Sequence, residues 1–299
     1  MTAAFIFEQL INGLSQGSIF ALFAIGYALI VGVVGMATLC HGEVIMIGGF
    51  MAFFTISLSW IPTNIIVMAL ICFIVPALVG IVIHIICYEK FLDSPRHISL
   101  VCTIGMSILL INLAQIVFGT QTQGVRTNQV IQPRSFEVFG VFIGMIEITI
   151  FIVVIVLCIL LALFLNKTKY GVVLKAVSQN RKAAALMGVN VKRATMVGSL
   201  LGCGIAGIGG MLFALYYSSI SPLIGPPVMI RAFSATVLGG MSDISMSALG
   251  GIVIGVMENF GIAFAGSAMR DIFAFMFLIL VLLFLPEGLR LGGGRRRGR

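Results

Sequence analysis

The chain predicts an all-α fold, a polytopic bundle of transmembrane helices, and three observations carry that reading. Of its 299 residues 60% are hydrophobic and 9% charged, with a mean hydropathy of +1.17. Soluble domains are about 45–50% apolar and about 25% charged. Second, the apolar residues come in runs of about 20, the length a helix needs to cross a bilayer. Third, the runs lack the period-two alternation of a membrane β-barrel, leaving the helix as the structure that satisfies every backbone polar group in lipid.

Taken in order, the runs place spanning helices near 5–34, 41–60, 63–88, 98–118, 139–165, 192–217 and 246–266, with a last one near 270–286. Val228 to Met241 is apolar but short, so it crosses, re-enters, or folds as a half-helix; the total is eight or nine crossings. The N-terminal stretch MTAAFIFEQLINGLSQG lacks a positively charged leader and runs straight into the first apolar segment, so that helix is expected to stay in the mature protein. No region is large enough for a separate soluble domain, and 1–299 reads as a single transmembrane domain.

Charge placement orients the bundle, because cytoplasmic loops are enriched in Lys and Arg. Of the 18 basic residues, Lys90 and Arg96 lie in the loop 89–97, seven lie in 167–193, and five lie between Arg290 and Arg299. All of these are expected to face the cytoplasm. The block and the tail share a side only if an odd number of crossings follows the block, so nine crossings, with the N-terminus outside and the C-terminus cytoplasmic, is the consistent solution. The polar loop 119–138 then falls outside.

The 35 glycines sit mostly inside apolar segments, as in GCGIAGIGG (202–210) and LGGIVIGVMENFG (249–261), where small residues let helix backbones approach closely. The six cysteines are scattered through apolar runs with no C-x-x-C and no His-rich neighbourhood, so they read as packing residues rather than as metal ligands or disulfides.

The segment Lys167 to Arg193, KTKYGVVLKAVSQNRKAAALMGVNVKR, carries seven basic residues and no acid. Its centre predicts a short helix: Asn180 caps the start, Arg181 to Met187 are good helix formers, and Gly188 supplies the left-handed residue that ends it. Ala183, Ala184 and Met187 are expected on one side with Arg181 and Lys182 flanking them. An apolar knob with a charged rim suits a groove on another protein. The alternative is that the block only holds the topology.

NRKAAALMGVNV resembles the cytoplasmic E-A-A-x-x-x-G loop of ABC importer permeases, in the form found in the branched-chain amino-acid permeases of the LivH type. The resemblance extends over nearly the whole chain. INGLSQGSIFALFAIGYALIVGVVGMATLCHGEVIMIGGF (11–50) is similar to their first two helices with the N-x-x-H-G-[ED] turn, and SPLIGPPVMIRAFSATVLGGM (221–241) and LPEGLRLG (285–292) to their late segments. Two departures stand out: Lys182 replaces the loop's usual acid, and MSDISMSALGG (241–251) replaces the commoner G-S-I-P-G-A near Asp243.

The resemblance implies a bacterial inner-membrane importer with an ABC-permease-like fold. A second, LivM-like permease completes the pore, two cytoplasmic ATPase subunits bind ATP and Mg, and a periplasmic binding protein delivers a branched-chain or related hydrophobic amino acid. In agreement, the chain has no G-x-x-x-x-G-K-[ST] phosphate loop and calls for no cofactor of its own, so energy is expected to enter through Asn180 to Gly188. A mostly apolar lumen suits urea or short amides equally well. A different class, a self-sufficient secondary transporter or channel, has only Glu258 in its favour.

Polar groups within apolar runs are the candidate path residues, because they are expensive in the bilayer. Glu258 and Asn259 either line the path or pair across helices. Ser107 and Gln115 stack closely on the fourth helix and read better as interhelical hydrogen bonders. His41 and Glu43 open the second helix, where a carboxylate is favoured by the helix dipole; Glu43 alternatively anchors His41 or faces the inner mouth. No H-E-x-x-H and no Ser–His pair with an orienting acid is present, so neither a catalytic nor a metal site is expected. The tail GGGRRRGR reads as a cytoplasmic topology anchor rather than as a nucleic-acid or lipid binder.

The charge argument yields a direct test. In a chain whose natural cysteines are replaced, a membrane-impermeant thiol reagent should label a cysteine at Gln123 from outside and one at Ser178 only from inside. Labelling of both from one face would overturn the orientation.

Overall fold

The computed structural model describes residues 3–58, 64–92, 95–138, 141–241, 243–266 and 269–284. The tail from 285 on, including Arg290 to Arg299 and the LPEGLRLG segment, lies outside the described residues. Helix α1 (Ala3–Val34) leads to α2 (His41–Ser57) and α3 (Ile65–Ile83), which continues through a π-helical turn (His84–Tyr88) and a 3₁₀ turn (Glu89–Phe91). Next come α4 (Arg96–Phe118), the short strands β1 (Gln123–Gly124), β2 (Ser135–Val138) and β3 (Val141–Gly144), and α5 (Met145–Lys167). The basic block forms α6 (Lys169–Gln179) and α7 (Arg181–Leu186), followed by α8 (Val191–Tyr217), β4 (Ser219–Ile220), α9 (Gly225–Leu238), α10 (Ile244–Ala265) and α11 (Arg270–Phe284).

Six of these helices are long and apolar enough to cross a membrane: α1, α3 with its continuation, α4, α5, α8 and α10. Helices α2 and α9 are shorter, with 17 and 14 residues. At 1.5 Å per residue they reach about 25 Å and about 21 Å, less than the roughly 30 Å hydrocarbon core. The segment expected at 41–60 as a full span, and the ambiguous one at 228–241, are both half-helices that begin inside the bundle. His41 shows this directly, because its Nε2 lies 3.3 Å from the Phe23 carbonyl. Phe23 is about 16 Å from the last residue of α1. The linker 35–40 climbs that distance as chain that is not helical, with Met36, Thr38 and Cys40 buried. Before α9, residues 218–224 lead back from the end of α8 without helix, with Ile220 and Pro222 buried and Ser218 and Leu223 exposed.

The halves α1–α4 and α8–α11 repeat one another with inverted direction. In each, a long helix is followed by an interrupted half-helix and two further helices. The long helices run antiparallel, Val33 meeting Gly198 and Gly26 meeting Gly202. α1 packs on α10 as α8 packs on α3, and the half-helices meet where Gly42 touches the Gly225 carbonyl. The sequence echoes the repeat at that point: Gly42, Met46, Ile47, Phe50 and Ala52 match Gly225, Met229, Ile230, Phe233 and Ala235 in register. Eleven residues are too few to betray a repeat by eye.

Glycine makes these crossings possible. A side chain at Gly48 would collide with Gly207, one at Gly210 with the Ile45 carbonyl, and one at Gly255 with Gly17. Pro76 within α3 is accommodated by the same device. Its missing N–H frees the Cys72 carbonyl, and that carbonyl faces the Cα of Gly207 on α8.

Among the described residues the few strands pair as β1 with β4 and as a β2–β3 hairpin, both antiparallel. The first pairing ties the loop after α4 to the end of α8, on the face opposite α7.

The crossings make a measurable contrast. A Cβ at Gly17 would stand 2.7 Å from the Ile252 carbonyl oxygen, whereas one at Gly105 on α4 meets nothing within 4 Å. Gly17→Val should destabilise the solubilised chain by about 1–3 kcal/mol through overpacking. Gly105→Ala should be neutral or stabilise by up to about 1 kcal/mol. Thermal unfolding in detergent measures both.

Candidate functional site

The basic block folds more fully than the sequence predicts. Thr168 caps α6, accepting from the Gly171 N–H at 3.0 Å, and α6 turns Leu174 and Val177 into the core. Asn180 then caps α7, accepting from the Ala183 N–H at 3.0 Å. Gly188 has φ +81°, and the Gly188 and Val189 N–H groups return to the carbonyls of Ala185 and Ala184, closing the helix by a Schellman motif. Cap and stop stand as expected, but the apolar face does not.

Ala184 is buried at 5% exposure, packed against the bundle, whereas Ala183 is exposed. The projecting tip is Leu186 and Met187, exposed at 88% and 84%. So short a helix needs one face to anchor it, and the methyl of Ala184 is small enough to sit flush. Arg181 does not flank the tip either. It folds back, its Nη2 3.4 Å from the Val33 carbonyl and against Gly35, where α1 ends. Lys182 stays exposed. Leu186 lies outside the expected face of Ala183, Ala184 and Met187; a bulky apolar side chain two residues before the stop glycine was the available signal.

Inside the bundle, Glu258 on α10 has no exposed surface and is held from three sides. Arg231 on α9 donates from Nε at 2.9 Å, Gln16 on α1 donates from Nε2 at 3.1 Å, and Arg270 on α11 approaches to 3.6 Å. The guanidinium of Arg231 lies over the Phe20 ring at 5.9 Å, and that of Arg270 over Tyr217 at 5.0 Å. Asn259 points elsewhere, donating to the Gln9 carbonyl and side chain at 2.8 and 2.9 Å. Both residues therefore pair across helices. Arg231 was legible as an arginine within an apolar run, the same signal that marks Glu258.

A second buried carboxylate lies where α2 and α9 meet. Glu43 is 1% exposed, and its Oε1 accepts from the Ser107 hydroxyl of α4 at 2.8 Å, while its Oε2 has no hydrogen-bond partner. His41 is equally buried; its ring stands 5.5 Å from that of Tyr27, edge on, and its Nδ1 has no partner. Neither side chain caps α2, whose N-cap Cys40 makes no capping bond. Gln115 is half-buried about 12 Å further along α4, outside this cluster. Asp243, by contrast, caps α10 through the N–H groups of Ser245 and Met246.

One catalytic spacing does occur, Gly13-Leu14-Ser15-Gln16-Gly17. It lies within the continuous helix α1, with the Ser15 hydroxyl donating to the Ile11 carbonyl at 3.0 Å, so it forms no nucleophile elbow. Among the described residues no cluster of three or more His, Cys, Asp or Glu has the arrangement of a metal site.

Burial and charge together separate Glu258 from a passive group. Removing one partner of a buried ion pair leaves the other uncompensated, at a cost of about 3–5 kcal/mol. Glu258→Leu and Arg231→Met should each destabilise the solubilised chain strongly, and the double variant should lose at least about 1 kcal/mol less than the two costs added. A denaturation cycle in detergent reads this; strict additivity would mean that the pair is not coupled.

Comparison with known proteins places these features. The family model described as branched-chain amino acid transport system / permease component matches residues 9–282. The high-affinity branched-chain amino acid transport system permease protein BraD of Pseudomonas aeruginosa is 34% identical over 293 residues, covering 94% of each chain. The corresponding LivH protein of Escherichia coli K12 is 31% identical, covering 95% of each. The L-arabinose transport system permease protein AraH of the same organism is 33% identical over 107 residues, about a third of each chain. No solved structure matches.

Proposed function

The chain belongs to the family of branched-chain amino acid transport system permease components, and from that membership we propose that it is one of two permease chains in an ATP-driven importer of branched-chain amino acids. In this reading α7 is the coupling helix, ATP and Mg are bound by two cytoplasmic ATPase subunits, and a periplasmic binding protein supplies the substrate at the opposite face of the inner membrane. The N-terminus is outside and the C-terminus cytoplasmic.

The observation that carries the coupling role is the pairing of an exposed tip with a fixed root. Leu186 and Met187 project from a helix of six residues. Two bulky apolar side chains at the end of a capped helix are costly in water and gain by entering a groove on a partner. Arg181 and Ala184 fasten the same helix to the end of α1 and to the core, so movement of the tip reaches α1 without a flexible linker. Helix α1 in turn packs along α8 and α10 across the interrupted helices. Basic residues around the tip, Lys182 among them, would then meet an acidic groove rim, the reverse of the charge usual in the resembled loop.

The test uses the assembled transporter. Leu186→Glu places a charge on the tip and leaves the root untouched, so the permease should insert normally while co-purifying ATPase and substrate-stimulated hydrolysis fall at least tenfold. Gly188→Val should act in the same direction but less, since a β-branched residue resists the left-handed conformation by roughly 1–2 kcal/mol. Normal values for both variants would reduce the block to a topology anchor.

A further inference from the structure

Among the described residues the two fully buried acids, Glu43 and Glu258, are treated in opposite ways. Glu258 is saturated by Arg231 and Gln16, with Arg270 close by. Glu43 has one hydroxyl on one oxygen and nothing on the other, and among the described residues no lysine or arginine forms an ion pair with it. A carboxylate in the bilayer interior is expensive, and a bare one more so than a paired one. The Ser107 hydroxyl and the start of α2 offset that cost only in part.

Its position explains why such a group is tolerated. Glu43 sits one residue past Gly42, at the contact between the interrupted helices of the two inverted halves. In the register of the repeat its counterpart is Pro226, so the carboxylate has no partner by symmetry. Gly225 opposite leaves the space that the Glu43 side chain occupies, since a Cβ there would stand 2.7 Å from Oε1. Ser107, half-buried on α4, fixes Oε1 and places the carboxylate one side chain below the accessible surface of that helix. Interrupted helices in corresponding positions of inverted repeats place their termini near the bilayer midplane, where transporters hold their cargo.

The chemistry asked for is donors without acceptors. Oε2 of Glu43 is an unfilled acceptor. With His41 in the tautomer that donates from Nε2 to the Phe23 carbonyl, its Nδ1 is a further unfilled lone pair, on the side of α2 that meets Tyr27 of α1 rather than on that of Glu43. A primary ammonium carries three N–H donors and one positive charge, which neutralises Glu43 and fills its free oxygen.

We propose that Glu43, held by Ser107 at the junction of α2 and α9, is the station that takes the ammonium group of a zwitterionic aliphatic amino acid on its way through the bundle. The proposal deepens the amino-acid permease reading and rests on it. An aliphatic side chain moves among apolar side chains unaided, whereas the ammonium needs a counter-charge at the midplane. One carboxylate with a single hydroxyl ligand supplies that charge while binding weakly enough to release.

Two measurements on the purified transporter decide it. In the first, labelling of Glu43 by the hydrophobic carbodiimide dicyclohexylcarbodiimide is followed by peptide mass spectrometry. Leucine and isobutylamine should slow labelling at least threefold, whereas isovalerate, which lacks the ammonium, should not. No labelling at Glu43, or labelling that the two ammonium probes leave unchanged, overturns the proposal. In the second, leucine uptake is measured in proteoliposomes with ATP and binding protein supplied. Glu43→Gln should lower uptake at least tenfold with ATPase still co-purifying, and Glu43→Asp, which keeps the charge, should restore part of it. Full uptake by Glu43→Gln, or no recovery with Glu43→Asp, counts against the station. Protection by leucine without ATP-driven uptake in the wild type would sustain the ammonium site and sink the importer reading, so the two failures are distinguishable.

Discussion

Backbone contact at glycine is the constraint on which the rest of the structure depends. In lipid there is no hydrophobic drive between helices, so association relies on close packing and on the few polar contacts available. Gly26 against Gly202, Gly48 against Gly207 and Gly17 against Gly255 bring α1, α2, α8 and α10 near enough for backbone atoms to touch. This closeness encloses the ends of two half-helices. Without it the free amides at the start of α2 and the non-helical linker 35–40 would face hydrocarbon, where unsatisfied backbone groups cost several kcal/mol each.

Enclosure sets the terms for charge. Among the described residues two acids are fully buried, and their difference follows from what faces them. Glu258 lies where α1, α9, α10 and α11 converge, and side chains from three of those helices close on it: the ion pairs with Arg231 and Arg270 tie the second half together, and the Gln16 hydrogen bond joins it to α1 of the first. Glu43 lies at the contact of two glycine-bearing helix starts, where backbone fills the space and few side chains are available to neutralise it. The same small residues that permit the junction leave its carboxylate underserved, which links packing to the proposed ammonium station. A site that must release its cargo has reason to be incomplete, because a fully satisfied pair such as Arg231–Glu258 exchanges partners at a prohibitive cost.

The block 167–193 joins this core to the surface through a short mechanical path. Helix α6 packs against α5 at Gly171, Asn180 begins α7 immediately after it, and the Schellman turn hands the chain to α8 through Asn190, whose side chain accepts from the Arg193 N–H at 3.0 Å. Every element is capped, so little conformational freedom is left between the exposed tip and the transmembrane helices. The salt bridge between Lys192 and Glu89, 3.2 Å long but with Lys192 largely exposed, adds little to this. Capping and the buried contacts of Ala184, Leu174 and Val177 provide the stiffness.

Much of this was legible in the residues themselves. Apolar run lengths settle that the chain is a membrane bundle, because the bilayer admits few alternatives. The local chemistry of Asn180 and Gly188 settles where α7 starts and stops, because caps act over three or four residues. Run length could not separate a full span from a half-helix preceded by buried extended chain, since both are equally apolar; only the proximity of His41 to Phe23 and of Gly42 to Gly225 decided it. The inward turn of Ala184 and the outward turn of Leu186 depended on where α1 ends, which lies about 150 residues away in sequence. The pairing of Glu258 with Arg231 and the isolation of Glu43 are likewise facts of which helices meet. The sequence by itself determined the solvent, the helical class and the caps, all matters of composition and short-range hydrogen bonding. The tertiary structure alone decided the inverted halves, the broken-helix junction and the fate of each buried charge, because those rest on contacts between residues that the chain holds far apart.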